Sequence, residues 1–357
     1  MYVCSSFIIG TIASVAFGPR ASEKMPRPGK NCAVRRGRLR SQALTSKFRV
    51  ELAADQIDIG GSLELFRRSG DDFIDRWDGQ QLLRAVYTNA HTWIPFVARS
   101  VGGGRVAAFE VVVEDEAHAD RVKAVVANTF MPAPADYQRL LAEDPAVAGL
   151  DKHFPGIRQI RQLDVFTALV RCISAQQVNL RWAVITRRRL AEAFGQRYDV
   201  EGQRVYALDP ELIATVDPAE IRALQFTTSK AVSIVATAQA MADGKLSLDE
   251  LSALDDEAAI QRLTQIRGIG RWSAEWVLAR TLGRPRVVAG DLGVRKAVGL
   301  AYLSSTTPSE AEVRAATAHW GASAGVAQAV LLHALGEGLL TPGGRTVQTG
   351  SRAASRA

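Results

Sequence analysis

The chain is 357 residues long, 47% hydrophobic and 23% charged, which is enough to bury a sizeable core in two or three domains. Its net charge of +7 suggests a polyanion-binding body, but residues 1–50 carry +9 and residues 341–357 carry +3, leaving −5 for everything between, so global basicity says nothing about the folded part. Cys4, Cys32 and Cys172 are too few and too scattered for a disulfide framework or a zinc site, and the five histidines lack metal-binding spacing.

In chain order, Met1 to Gly18 is apolar like a short signal peptide but has no basic start, and it is too short and too interrupted to span a membrane. The preferred account is a start codon assigned too early, with Met25 or a later site possible; no membrane association and a cytoplasmic location are expected. Residues 19–46, rich in Arg, Pro, Gly and Ser, read as disordered, as do residues 341–357. Residues 1–46 are thus a disordered or mis-assigned extension.

Residues 47–134 carry strand patterns at Phe48–Leu52, Leu82–Val86 and Ala107–Val113, with a turn at Gly102–Gly104. Helical patterns fall at Gly61–Phe66 and Ala119–Val126, so an α+β domain on a mainly antiparallel sheet is expected. Residues 135–340 are helical in period almost throughout.

Within that helical region, Asp164 to Asn179 reads as a helix with Phe166, Leu169, Val170 and Ile173 in the core. Gln176 and Gln177 at its end have no core explanation; a polar helix end and an interface contact both remain open. Further on, Ala259, Leu263 and Ile266 form an i, i+4, i+7 stripe, and Trp272, Trp276, Val277 and Arg280 continue a second helix that Gly283 and Pro285 stop. Between them lies Arg267-Gly268-Ile269-Gly270. Glycines lack Cβ, so this turn can bend sharply and let an anion approach backbone amides that begin the next helix.

Trp272 and Trp276 lie one turn apart on one face, where an isolated pair of tryptophans is more often core than site. Nineteen residues after Trp272, an apolar run and Gly290 lead to Asp291 at a helix start, a position that by itself suits an ordinary N-cap. From Arg262 to Lys296, eight Lys/Arg face only Glu275 and Asp291, a local excess of +6 that would concentrate attraction for phosphate around the turn.

Taken together, the glycine hairpin, the aromatic after it, the downstream aspartate and the glutamine-ended helix resemble the helix-hairpin-helix DNA glycosylase superfamily, and most of all its bacterial 3-methyladenine-DNA glycosylase II branch. The resemblance covers most of residues 47–340 and implies an N-terminal antiparallel-sheet α+β domain followed by an all-helical glycosylase domain. It further implies a monomer that acts on double-stranded DNA containing alkylated bases, flips the damaged nucleotide and hydrolyses its N-glycosidic bond without cofactor or metal.

In that reading Asp291 is catalytic and Trp272 and Trp276 line the base pocket. Gly268, Ile269 and Gly270, with Ser273, clamp a phosphate, and Gln176 and Gln177 enter the minor groove. Bifunctional relatives carry a Schiff-base lysine where this chain has Trp272, which implies base release without strand cleavage. The four cysteines of the iron–sulfur relatives are missing, since none follows Cys172. The chain also departs from the pattern: Arg267 replaces a proline, Gly290 precedes the aspartate, and Gln177 replaces an apolar wedge. A glycosylase for other damaged or mismatched bases, and a non-catalytic helix-hairpin-helix module, are the competing readings.

Overall fold

A computed structural model describes residues 45–52, 56–88, 92–101 and 106–340. The expected extension over residues 1–46 lies outside these except for Thr45 and Ser46, and residues 341–357, Gly102–Gly104, His91, Cys4 and Cys32 also lie outside them.

The N-terminal part is built on five strands, β1 (Ser46–Glu51), β2 (Arg76–Trp77), β3 (Gln81–Tyr87), β4 (Trp93–Val101) and β5 (Ala108–Val113). They lie in the order β1-β5-β4-β3-β2, with every pairing antiparallel. Helices α1 (Ile59–Arg68) and α2 (Ala119–Ala127) share a core with alternate strand residues Leu82, Val86, Phe96, Ala98, Phe109 and Val111. Strand β4 is absent from the sequence reading because Pro95 interrupts its pattern; here Pro95 pairs with Ala85 inside the ladder.

The helical part begins with α3 (Tyr137–Glu143) and α4 (Pro145–His153), followed by α5 (Val165–Ala175) and α6 (Leu180–Phe194). An antiparallel hairpin, β6 (Gln196–Val200) and β7 (Gln203–Ala207), comes next and interrupts the otherwise helical region, which is therefore not all-helical. Glu201 (φ 49°) and Gly202 (φ 75°) make its two-residue turn left-handed, as tight hairpins require. Val200 and Val205 cover Leu83 and Val97, the sheet side opposite the α1/α2 core. The remaining helices are α7 (Pro210–Ile213), α8 (Pro218–Ala223), α9 (Thr228–Ala242), α10 (Leu248–Ala253), α11 (Asp256–Thr264), α12 (Arg271–Val277), α13 (Leu292–Val298), α14 (Glu310–Thr317) and α15 (Ala324–Gly336). α12 runs on into a π-helical turn, Leu278–Leu282.

Two apolar cores position the helices. One gathers α5, α9, α11 and α12 around Leu169, Ile173, Ile234, Leu263 and Val277, and it also takes in Phe73 and Ile74 from the loop before β2. The other packs Val294, Val298, Val313, Trp320, Val330 and Leu331 against Leu150 and Ile157. The loop between the cores carries Asp291.

Candidate active site

The α11–α12 hairpin owes its shape to Gly268, whose φ of +83° favours glycine. A Cβ there would overlap the Ser233 hydroxyl of α9 and come within 2.7 Å of the Ser233 Cβ. Gly270 differs: its backbone is extended, and a Cβ would meet nothing within 4 Å. The fold therefore demands Gly268 but not Gly270, whose open side leaves room for a group to approach bare backbone.

Helices α5 to α11 each begin with an Asp, Asn, Thr or Ser side chain accepting a backbone N–H, whereas α12 starts at Gly270 with no side-chain cap. Its first amides are left for another acceptor. Ile269 buries its side chain in the core, so its contribution to such a site is limited to its backbone. Ser273 departs from the expectation of a phosphate contact. It is 1% exposed and its hydroxyl has no partner, because it sits on the core-facing side of the first turn of α12.

The glutamine turn meets this hairpin directly. Gln176 Nε2 donates to the Gly268 carbonyl at 3.0 Å, while Gln177 (φ +55°) is exposed. Gln176 thus fixes the hairpin to the end of α5, and Gln177 is the outward-facing one of the pair. A buried ion network supports the turn from behind. Asp72 accepts from Arg171 (2.8 Å) and from Arg187 (2.9 Å), and Arg187 also donates to the Ser174 hydroxyl at 2.8 Å. Burial opposes the Asp72 charge, but Arg171 and Arg187 together hold its pKa down to about 2. Lys230 Nζ donates to the Ser174 carbonyl at 2.9 Å.

Asp291 caps α13, its Oδ1 accepting from Gly293 N (2.9 Å) and Val294 N (3.1 Å). Its Oδ2 accepts no hydrogen bond among the described residues, so half of the carboxylate remains available. Trp272 lies against the preceding residue: a Cβ on Gly290 would stand 3.3 Å from the Trp272 Cβ. The glycine at 290, an anomaly in the sequence pattern, eases this crossing, since a Cβ there would press on Trp272 and Glu310 at 3.3 Å. Trp272 is half-buried and its indole N–H has no partner. Trp276 is also half-buried, but the Arg280 guanidinium lies 5.2 Å from its ring centroid. One indole face is therefore already covered by a cation, leaving Trp272 as the more open aromatic of the two expected in the pocket.

Arg280 and Cys172 are the neighbours that sequence reasoning missed. Cys172 is 2% exposed on α5, and burial pushes its thiol pKa far up, with Arg280 and Asp291 among the charges acting on it. The signal for Arg280 was its spacing, i+8 from Trp272 along the aromatic face.

The local excess of +6 is corrected by the pairings. Arg262 bonds Glu250 at 2.8 Å, Arg284 bonds Asp256 at 2.7 Å, Arg271 bonds Glu257 at 2.9 Å, and Arg286 reaches Asp256 (2.9 Å), Glu257 (3.2 Å) and Glu275 (3.2 Å). The acids at 250, 256 and 257 lie outside the stretch that was counted. Glu275 is fully buried and also accepts from Arg271 at 3.1 Å and Arg314 at 2.9 Å. Much of the basic charge thus holds the hairpin's framework rather than facing solvent. Among the described residues, no helix is long and apolar enough to cross a membrane, and no three His, Cys, Asp or Glu side chains are grouped to hold a metal ion.

With this geometry established, comparison with known proteins is informative. Residues 170–322 match the family model of the HhH-GPD superfamily base excision DNA repair protein. The chain is 29% identical to the DNA-3-methyladenine glycosylase of Bacillus subtilis over 186 residues, 52% of this chain and 61% of that one. It is 31% identical to DNA-3-methyladenine glycosylase 1 of Schizosaccharomyces pombe over 148 residues, 41% of this chain and 60% of the relative. The chain thus spans about 60% of the length of these relatives. A 3-methyladenine DNA-glycosylase from Archaeoglobus fulgidus has the same fold, with a TM-score of 0.71 at 23% identity, covering 81% of this chain and 98% of that one. This coverage exceeds the family match, so the likeness in fold includes part of the chain beyond residues 170–322.

Proposed function

We propose that the chain, whose residues 170–322 match the HhH-GPD family model, is a monofunctional DNA glycosylase that hydrolyses the N-glycosidic bond of alkylated purines of the 3-methyladenine class. It acts on double-stranded DNA as a monomer in the cytoplasm, with residues 135–340 as the catalytic domain and residues 47–134 supporting it. The observation that carries the reading is the placement of Asp291. Gly290 sets its loop against Trp272, and one carboxylate oxygen is fixed by two N–H groups while the other is unengaged.

A base inside a duplex is inaccessible, so the nucleotide must leave the stack. Gln177, exposed at the end of α5, takes the vacated space, and the Gly268–Gly270 backbone with the uncapped start of α12 holds a phosphate of the bent strand. The base rests on Trp272, whose electron-rich face attracts a cationic methylpurine by about 0.5–2 kcal/mol. As the C1′–N bond breaks, both electrons stay with the base and positive charge grows on the sugar. The free oxygen of Asp291 stabilises that charge and orients the water that attacks C1′. Residue 272 is tryptophan and cannot form a Schiff base, so the product is an intact strand with an abasic site.

The test is incubation of the full chain with methylated duplex DNA, with chromatography of released bases and alkaline cleavage of the strand. The expected result is free methylpurine, alkali-labile sites and no protein–DNA adduct on borohydride reduction. Tight DNA binding without base release would identify a binding module instead, and a trapped adduct would refute monofunctional chemistry.

A further inference from the structure

We propose that the outer face of α6, with Arg188 and Arg204 at its far end, is a second phosphate-binding surface that holds the DNA backbone several base pairs to one side of the flipped nucleotide. The inference rests on the glycosylase reading above and deepens it by adding an interface beyond the hairpin.

Helix geometry places the surface. α6 starts three residues after Gln177 and is capped by Asn179, whose Oδ1 accepts from Trp182 N at 2.8 Å. Arg181, Ile185 and Arg188 recur at i, i+4 and i+7 and are all exposed, so they form one outward stripe. Arg187 of the same helix turns inward to Asp72, and the acid of α6 is Glu192. With four arginines and one glutamate the helix carries +3, inside a stretch, residues 51–340, whose net charge is −5.

At its far end the stripe meets a cluster of cations. The guanidiniums of Arg188, Arg76 and Arg204 lie 4.1, 4.8 and 5.5 Å from the centroid of a single ring, that of Phe73. Phe73 is buried, stacked on Tyr206 and held at φ +65°, a backbone region that bulky residues rarely adopt. One guanidinium on an aromatic ring is attractive, but bringing three to the same ring sets like charges against one another. Carboxylates relieve this only in part. Asp71 pairs with Arg76 at 2.8 Å, and Glu192 pairs with Arg188 at 3.4 Å between two exposed side chains. Arg204 meets no carboxylate among the described residues. Its carbonyl accepts from Arg76 Nη1, which anchors Arg76 and leaves Arg188 and Arg204 as the exposed members.

A phosphate fits this cluster, because its charged oxygens accept from converging guanidinium forks and offset the repulsion among them. Duplex DNA supplies phosphates continuously from the flipped nucleotide, and the stripe begins beside Gln177, the residue that enters the vacated space. Asn179 to Arg188 is nine residues, about 14 Å along the helix axis. At 3.4 Å per base pair, that span matches about four base pairs of duplex. The hairpin and the α6 face thus hold the backbone at two separate places, and the second of them engages one flank of the lesion only.

The experiment measures equilibrium binding of the full chain to a duplex with one tetrahydrofuran abasic analogue, between about 0.05 and 0.25 M salt. Wild type is compared with two double variants, Arg188→Gln with Arg204→Gln and Arg188→Lys with Arg204→Lys, each checked by thermal unfolding. The basic flanks of the chain are the same in all three, so differences in slope report the α6 face alone. The slope of log affinity against log salt should become shallower by about 1–2 in the Gln pair and stay as in wild type in the Lys pair. Single-turnover release of 7-methylguanine at saturating protein should stay within about twofold of wild type in both, since neither residue touches the base. A second measurement alters the DNA instead: neutral methylphosphonate linkages about three to six base pairs from the analogue should weaken wild-type binding on one flank and not on the other. The Gln pair should be insensitive to the linkages on that flank. An unchanged slope in a folded Gln pair overturns the proposal, as does an equal effect, or none, of the linkages on the two flanks of the wild-type complex. The linkage result decides by itself if the Gln pair does not fold. Failure of the wild-type chain to release 7-methylguanine would instead refute the glycosylase reading, so the two failures are distinguishable.

Discussion

Replacing Asp291 by Asn separates the two roles of this side chain. The Asn carbonyl can accept from Gly293 N and Val294 N as the carboxylate Oδ1 does at 2.9 and 3.1 Å, and Asn and Asp are nearly equal as N-caps. The fold loses only the interaction of a charge with the start of α13, about 0.3–1 kcal/mol. On the proposed mechanism the chemistry should lose far more, because there the unengaged carboxylate oxygen acts on a charge that exists only near the transition state. Removing one such preorganised group costs about 2.7–4 kcal/mol, or roughly 100- to 1000-fold in rate. Asp291→Ala should match that loss in rate and add about 0.5–2 kcal/mol of destabilisation through the vacated cap. The assay is single-turnover base release and equilibrium binding on one methylated oligonucleotide, with chemical denaturation alongside. Expected for Asp291→Asn are slow release, affinity within a few-fold of wild type and nearly unchanged stability. Turnover close to wild type in the Asn variant would remove Asp291 from the mechanism, and a stability loss as large as that of Ala would refute the cap geometry.

The two hairpin glycines should respond in opposite ways: Gly268→Ala should lose at least 1–2 kcal/mol of stability from its left-handed backbone alone, with the Ser233 clash in addition, whereas Gly270→Ala should fold normally and bind DNA more weakly. Equal melting temperatures for the two variants would contradict this. For Trp272, the Leu variant should lose more activity on 3-methyladenine or 7-methylguanine than on hypoxanthine, and the Phe variant should keep part of the preference, because phenylalanine retains a weaker ring quadrupole. Equal losses across charged and neutral bases would reduce Trp272 to a shape-filling wall. Asp164, the cap of α5, is held by burial at a pKa of about 6, so the folded state binds its proton more tightly than the unfolded chain does. Its favourable contribution is complete below about pH 4 and is lost as pH rises through 6. Asp164→Asn keeps the cap carbonyl, so it should be more stable than wild type above pH 6 and show little gain at pH 4. Denaturation curves with a constant difference between pH 4 and 8 would count against burial as the cause.

What could be read from the sequence was whatever depends on neighbours along the chain. The hairpin could be read because Gly268 meets a local backbone demand, and Asp291 because capping is a short-range pattern. Whatever depends on the fold bringing distant segments together was hidden. Sequence placed eight basic residues around the hairpin, but Glu250, Asp256 and Glu257, which pair with four of them, join only when α10 and α11 fold back. Strand β4 was missed because Pro95 breaks the local rule while the register against β3 tolerates it. Ser273 was misread because its closeness to the turn in sequence says nothing about which way its hydroxyl points. Arg280 is legible only in retrospect: an arginine spaced with two tryptophans is ordinary until the fold is seen to lay its guanidinium over the Trp276 ring.

The Glu275 carboxylate has a consequence for the timing of assembly. It is buried among Arg271, Arg286 and Arg314, and the last of these lies 39 residues further along the chain. During synthesis from the N-terminus, both sides of the hairpin exist before α14 does. In that interval the charge at the heart of α12 lacks one of its three counterions and has no reason to settle in its buried position. The hairpin should therefore acquire its final shape late, when the segment carrying Arg314 arrives, and a chain cut short before that point should carry Trp272 and Asp291 without the complete framework behind them.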